Sequence, residues 1–457
     1  MIRDREFYRT IFRISLPAAF QALVSFLVVV ADDIMVSMLP NHTAAQAAVS
    51  QVNSITAFYT ATMTGLVSGS AVLIAQYWGK KDMARIRRIF SVVLWFCALV
   101  AVAFVAVARI FPDAVVAVVI KGEETEVISL ALEYFAIVCF TYLPFAITTA
   151  LIGMLRSIEV VRITLVTTIM ALFVNIGLNY VLIFGKLGFP ALGVRGAALA
   201  TLTTRIVEML IVCVYTFGIQ KKLEIRPSDL LHVDRTLTRD YMRYGLPVGL
   251  TDMQWALIGM IKSAIIGQMG AAFMAANNIA SSMANLGTMF TFALAGGACV
   301  MVGKAVGKGD YDLAKAYSKT IQIMFFIIGL VMAALVFALR VPFTRLYGSS
   351  ADPEVYGLST EMIALMAVTL IGTSYHASCF VGINRGAGDS RFVAMVDMIC
   401  GWLVVLPATL LAAFVFKAPL PIVFLCTRID QCFKWLIAFI RLRGDKWIRN
   451  VTREGEA

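Results

Sequence analysis

Residues 16–38 read LPAAFQALVSFLVVVADDIMVSM, and residues 246–268 read LPVGLTDMQWALIGMIKSAIIGQ. Both open on a Leu-Pro pair, at an offset of 230 positions. Both then continue for the roughly 20 mainly apolar residues that a helix needs to cross a bilayer. Two further pairs keep nearly the same offset. Gly79-Lys80-x-Asp82 returns as Gly307-Lys308-x-Asp310, 228 positions on, and Arg156 with Arg162 returns as Arg385 with Arg391, 229 positions on. Three pairs at almost one spacing mark a duplicated membrane-spanning unit.

The rest of the chain agrees with that reading. Of its 457 residues, 60% are hydrophobic and 15% charged, with a mean hydropathy of +0.84. Soluble domains carry about a quarter charged residues, so a soluble enzyme, a disordered chain and a nucleic-acid-binding domain are excluded. Twelve apolar runs of spanning length fall at roughly 11–39, 52–77, 89–111, 127–155, 162–184 and 194–218, and at 242–268, 273–303, 318–340, 356–384, 391–416 and 419–440. With the N-terminus inside, 28 Lys and Arg residues fall on the cytoplasmic side and seven outside. Arg205, Lys262, Arg428 and Lys434 remain within spans. The net charge of +11 is thus a topology signal, with both termini cytoplasmic. Six spans per repeat is an even number, so the repeats are parallel. The expected fold is an all-α polytopic membrane protein of twelve transmembrane helices in two parallel six-helix repeats. Residues 1–218 form an N-terminal lobe, 219–241 a cytoplasmic connector, 242–440 a C-terminal lobe and 441–457 a basic tail. The eight cysteines lie in apolar runs without a C-x-x-C spacing and read as packing residues.

Ionisable and amide side chains inside spans are the functional candidates, because they are costly to hold in hydrocarbon. Asp32 and Asp33 sit about seven residues, roughly 10 Å, from the outer end of the first span. Neighbours on a helix point about 100° apart, so only one can face the interior of its lobe. Asn175 and Asn179 are four apart and share a face of span five. Thr201 lies at a matching depth in span six. A carboxylate with amide and hydroxyl oxygens suits a hard cation, and a shielded carboxylate can also carry a proton. Interhelical hydrogen bonding is the purely structural alternative. Arg205 and Glu208, three apart, are expected to pair along their helix. Arg428, Asp430 and Lys434 are expected to be structural, with their long side chains snorkelling toward the cytoplasmic face.

Several motifs resemble the multidrug and toxic compound extrusion (MATE) family of the MOP flippase superfamily. They are Ala31-Asp32-Asp33-Ile34-Met35-Val36, Ala75-Gln76-Tyr77-Trp78-Gly79, Asn175-Ile176-Gly177-Leu178-Asn179-Tyr180, Gly193-Val194-Arg195-Gly196-Ala197-Ala198-Leu199-Ala200-Thr201 and Asn384-Arg385-Gly386-Ala387-Gly388-Asp389-Ser390. Their order and spacing cover nearly the whole chain. The resemblance implies V-shaped lobes and export of cationic or amphipathic small molecules in exchange for Na+ or H+. It also favours Asp32 over Asp33. In DinF-type and archaeal members the cation site is built from positions matching Asp32, Asn175, Asn179 and Thr201. The position of Asn179 can be Asp there, so this chain carries one negative charge fewer. NorM-type members place acids at positions that fall here on Trp255 and Ser374, so the site residues are closer to the DinF type. Asp252, nearly a turn before Trp255, is a candidate substitute. Asp32, Asn175 and Asn179 would ligate the ion if it is Na+. Tyr59, Met63, Met289 and Phe292, on repeat-equivalent spans two and eight, are candidates to line a substrate cleft with Asp33 and Trp255.

No cofactor beyond the coupling ion is expected. The partners are small-molecule substrates and the lipid bilayer, with no nucleic acid, for a monomer in a bacterial inner membrane. A lipid-linked oligosaccharide or peptidoglycan-precursor flippase is the alternative within transport. That reading calls for several basic groups in the cleft to hold a pyrophosphate. An enzyme is not expected, because His42, His232 and His376 are scattered and hydrolase, zinc-protease and nucleotide-binding motifs are absent.

Overall fold

The computed structural model describes residues 5–38, 42–119, 125–223, 225, 227–231, 233–346 and 353–453. His232 lies outside these residues, as do the side chains of Asp33 and His42. Among the described residues there are no strands. The long helices are α1 (Arg5–Ser37), α2 (His42–Lys80), α3 (Met83–Ile110), α4 (Glu126–Ser157), α5 (Arg162–Phe184) and α6 (Val194–Ile219). They continue with α7 (Leu246–Gly267), α8 (Ala271–Gly307), α9 (Tyr311–Leu346), α10 (Pro353–Asn384) and α11 (Ser390–Val415). The twelfth, α12, is in two pieces, Leu420–Cys426 and Lys434–Arg443.

Ten of these are long and apolar enough to cross a membrane. The two that fall short are α7 and α12, and their sequences show why. Helix α7 has 22 residues but spends three of them on Asp252, Gln254 and Lys262. In α12 the run breaks at a turn holding Arg428, Asp430 and Gln431, with a short 3-10 helix over Ile429–Cys432. The protein is a multi-pass membrane protein.

The chain forms two compact units, and their borders fall inside helices. One comprises residues 20–70 and 83–243, and the other residues 1–19, 71–82 and 244–457. The first ends of α1 and the last turns of α2 therefore pack with the C-terminal half. Glycine makes this possible. A Cβ on Gly307 would lie 2.0 Å from the Gln76 carbonyl oxygen, and one on Gly79 would lie 2.3 Å from that of Lys304. Helices α2 and α8 thus touch backbone to backbone over their final turns.

The residues after α12 fasten this contact. Gln76 is fully buried. Its Nε2 donates to the carbonyls of Gly386 (3.1 Å) and Arg449 (3.2 Å), and its Oε1 accepts from Val451 N–H (2.8 Å). Tyr77 Oη accepts from Arg453 N–H, and Asn450 Nδ2 reaches the Val306 carbonyl. Asp389 is buried between Arg441 (2.7 Å) and Arg449 (3.2 Å). Trp447, 2% exposed, is packed into the same core as Phe7, Ile11 and Met301. The basic tail is therefore a folded strap in its first half.

In the other unit, Tyr59 stacks on Tyr142 with ring centroids 4.2 Å apart, and its hydroxyl donates to the Tyr142 carbonyl. The segment after α6 packs on α3, where Ser91 and Trp95 both donate to the Leu230 carbonyl. Asp234 caps the short helix Arg235–Asp240, accepting from the N–H groups of Thr236 and Leu237, and pairs with Arg88 at 3.3 Å. Burial pushes its carboxyl upward, but the two cap hydrogen bonds and Arg88 outweigh that and hold it below the usual carboxylate range. All eight cysteines are free.

Candidate functional site

Helices α1 and α5 bring together three of the four cation-site candidates. Asn179 Nδ2 donates to Asp32 Oδ1 and, at 3.2 Å, to Asn175 Oδ1. Asn175 and Asn179 are 1% and 0% exposed, while Asp32 is partly exposed. The i,i+4 spacing on α5 aligns the two amides, and Asp32 lies five residues before the end of α1. Asn179 Oδ1 is buried and finds no hydrogen-bond partner among the described residues. A buried, unsatisfied amide oxygen is costly, and a cation or a protonated carboxyl would satisfy it. The cluster offers a carboxylate and two amide oxygens, all hard donors.

Thr201 is placed differently. It is partly buried on α6, and its hydroxyl donates to the Ala197 carbonyl of its own helix at 3.0 Å. Its lone pairs, not its proton, are what it has to offer. Asp33 is on α1, but its side chain lies outside the described residues. Tyr59 and Met63 are fully buried in the core of their unit. Met289 is partly buried and Phe292 is 46% exposed. Arg205 and Glu208 form the expected pair, at 2.7 Å, with Arg205 also over the Phe145 ring.

The C-terminal repeat holds a polar cluster that the sequence reading undervalued. Lys434 is 3% exposed and lies 2.5 Å from Asp397 and 3.2 Å from Asp430, which are 8% and 1% exposed. Its Nζ also stands 4.5 Å from the Trp255 ring centroid. The expected snorkelling of Lys434 is therefore wrong, because two carboxylates and an aromatic face hold it inside the protein. Asp430 could have been suspected from its i,i+4 spacing to Lys434, but Asp397 is on another helix and carries no local signal. Asp252 is taken by Arg385, at 2.9 Å. Ser374, at the other NorM-type position, is buried and within 3.4 Å of the Thr291 hydroxyl.

The chain as a whole is similar to known proteins. The MatE family model matches residues 17–181 and again 247–411. The chain is 28% identical over 360 residues to the probable multidrug resistance protein NorM of Agrobacterium fabrum, covering 76% of this chain and 74% of that one. It is 23% identical to the uncharacterized transporter YisQ of Bacillus subtilis, over 92% of this chain and 90% of the relative. Among solved structures it resembles MATE in complex with MaL6, with a TM-score of 0.83 at 20% identity and 95% coverage of each chain.

Proposed function

The chain belongs to the MatE family, and on that premise we propose that it is a secondary active exporter of cationic or amphipathic small molecules, driven by Na+ or H+ entering in exchange. It is a transporter and not an enzyme. The observation that carries the reading is the cluster of Asp32, Asn175 and Asn179, a carboxylate and two amides held together inside a membrane-spanning unit. Relatives named multidrug resistance protein NorM support the class of substrate. The residues support a DinF-type coupling site over a NorM-type one, since Trp255 and Ser374 stand where NorM-type members place acids.

The chemistry follows from the amide geometry. With Asp32 ionised, the Asn179 amide donates one hydrogen bond to its carboxylate and one to Asn175 Oδ1. A cation entering the cluster would meet Asp32 and Asn175 Oδ1, and rotation of the Asn179 amide would add a third oxygen. A proton on Asp32 would be donated to Asn179 Oδ1 after the same rotation. In both cases one amide reports whether the site is loaded. Thr201 supplies a further oxygen if α6 moves toward α1. A cation biases the equilibrium between access states only if it binds one of them more tightly. The charge distribution supports cytoplasmic termini, and we propose that a single chain acts in a bacterial inner membrane. The test is substrate efflux in sealed proteoliposomes under an imposed Na+ or proton gradient. Asp32→Asn should leave the protein folded and abolish gradient-driven transport, and full transport by that variant would remove the site from the mechanism.

A further inference from the structure

The two family matches begin at Pro17 and Pro247, so the internal offset is 230 residues. Adding 230 to Asp32 gives Lys262. The structure supports the correspondence, because Asp32 lies five residues before the end of α1 and Lys262 five residues before the end of α7. The two repeats therefore carry opposite charges at equivalent positions. The partners of Asp32 are not repeated either. Asn175 and Asn179 correspond to Val405 and Thr409, and the Thr409 hydroxyl is spent on the Val405 carbonyl at 2.7 Å. The C-terminal repeat has not rebuilt a cation site there.

Lys262 Nζ donates to the Thr427 carbonyl at 3.2 Å. That bond places it beside Arg428, the next residue, at the break in α12. The charged groups that act on Lys262 are Arg428, Asp430 and Lys434. Both nearby carboxylates, Asp397 and Asp430, are already engaged by the buried Lys434. Arg385, paired with Asp252, acts on Asp397 as well. Four cations thus face three carboxylates, and neither Lys262 nor Arg428 makes an ion pair among the described residues. Arg428 has its guanidinium carbon 5.9 Å from the Phe424 ring, and Asp430 is the carboxylate that acts on it. Both residues are partly exposed and not sealed in the core. An uncompensated positive charge within a membrane span is expensive, and a backbone carbonyl does not neutralise it. A guanidinium beside an ammonium is the donor set that recognises carboxylate, sulfonate and phosphate oxygens.

We propose that Lys262 and Arg428 form a subsite for the anionic group of an amphipathic ligand, at the level in the C-terminal repeat where the N-terminal repeat presents Asp32. In calling that ligand a substrate the inference rests on the export reading; in assigning the site it does not. Ligands carrying a carboxylate, sulfonate or phosphate on a lipophilic body bind there, and zwitterions are preferred to simple cations of the same shape.

The full chain in phosphatidylcholine nanodiscs is titrated with rhodamine 110, which has a free carboxyl group, and with rhodamine 123, its methyl ester. Fluorescence polarisation gives both affinities. The wild type should bind the acid about tenfold more tightly than the ester, the scale of one charge-assisted contact. Lys262→Gln and Arg428→Gln should each weaken acid binding by about that factor and leave ester binding within about twofold, while Lys262→Arg retains the preference. Retained ester binding shows that the variants are folded. Adding phosphatidylglycerol separates the sources of the anionic group. Weaker acid binding in the wild type alone identifies a lipid headgroup as a competitor for the same subsite, and unchanged binding reserves it for soluble amphiphiles. Equal affinity for acid and ester in the wild type, absence of saturable acid binding, or an acid preference that survives Lys262→Gln/Arg428→Gln overturns the proposal. An intact acid preference without gradient-driven efflux of either dye would instead overturn the export reading and leave the subsite standing.

Discussion

Replacing Lys434 by Met removes one charge and strands two. Asp397 and Asp430 are 8% and 1% exposed, and the ammonium they share is 3% exposed, so water cannot take its place without opening the packing of α7, α11 and α12. Removing one partner of a buried ion pair costs about 3–5 kcal/mol, because the charge left behind is uncompensated. Here two carboxylates lose their partner, so Lys434→Met should cost at least the lower figure, about 3 kcal/mol. That is a factor of about 100 or more in the folded population. Denaturant titration in detergent micelles, followed by tryptophan fluorescence, reads the loss, and Trp255 reports directly because Lys434 lies over its ring. The control is the triple variant Lys434→Met/Asp397→Asn/Asp430→Asn, which removes the two stranded carboxylates as well and should recover most of the stability. A single variant that loses less than about 1 kcal/mol would refute the burial argument. So would a triple variant as unstable as the single one.

Other outcomes follow from the same structure. Gln76→Ala removes three hydrogen bonds and leaves the Val451 N–H and two carbonyls to be satisfied elsewhere. At about 1 kcal/mol per bond it should cost about 3 kcal/mol, read by the same titration. Gly307→Val forces apart the backbones of α2 and α8, since even a Cβ would sit 2.0 Å from the Gln76 carbonyl oxygen; cysteine pairs across that contact should lose their cross-linking yield. Asp234→Ala should cost about 1 kcal/mol through loss of the helix cap. Because the native fold holds the Asp234 carboxyl below its unfolded value, its stabilisation is complete above about pH 4 and is lost as acid titrates through the lower native value. A wild-type stability difference against Asp234→Ala that does not shrink on acidification would contradict that sign.

The fold was legible because bilayer thickness fixes helix length and hydrocarbon tolerates few charges, so spans appear as apolar runs whatever their packing. Duplication appeared as nearly equal offsets of 230, 228 and 229 for Leu16-Pro17, Gly79-Lys80 and Arg156, and the family matches are offset by 230. The pairing of Asn175 with Asn179 followed from helical periodicity, and their convergence on Asp32 was suggested by depth. What failed to show was whatever depends on distant partners. Lys434 looked like a residue at the edge of a span until Asp397, 37 positions away, proved to be beside it. Gln76 belonged to a family motif, yet nothing local tied it to Val451. Repeat position puts Tyr59 and Met63 on the expected helix but does not say which way they face; both are inside the core. Helices α7 and α12 fell short of ordinary spans for the reason that makes them informative, the polar residues they carry.

The central claim is that a cation at Asp32 drives export, and the most direct measurement is dye efflux from proteoliposomes carrying wild-type or Asp32→Asn protein, with Na+ and proton gradients imposed one at a time. Wild-type protein should move dye only when one of the two gradients is present, and Asp32→Asn should show the no-gradient rate under both. Wild-type transport indifferent to both gradients, or gradient-driven transport that persists without the Asp32 carboxylate, would contradict the account.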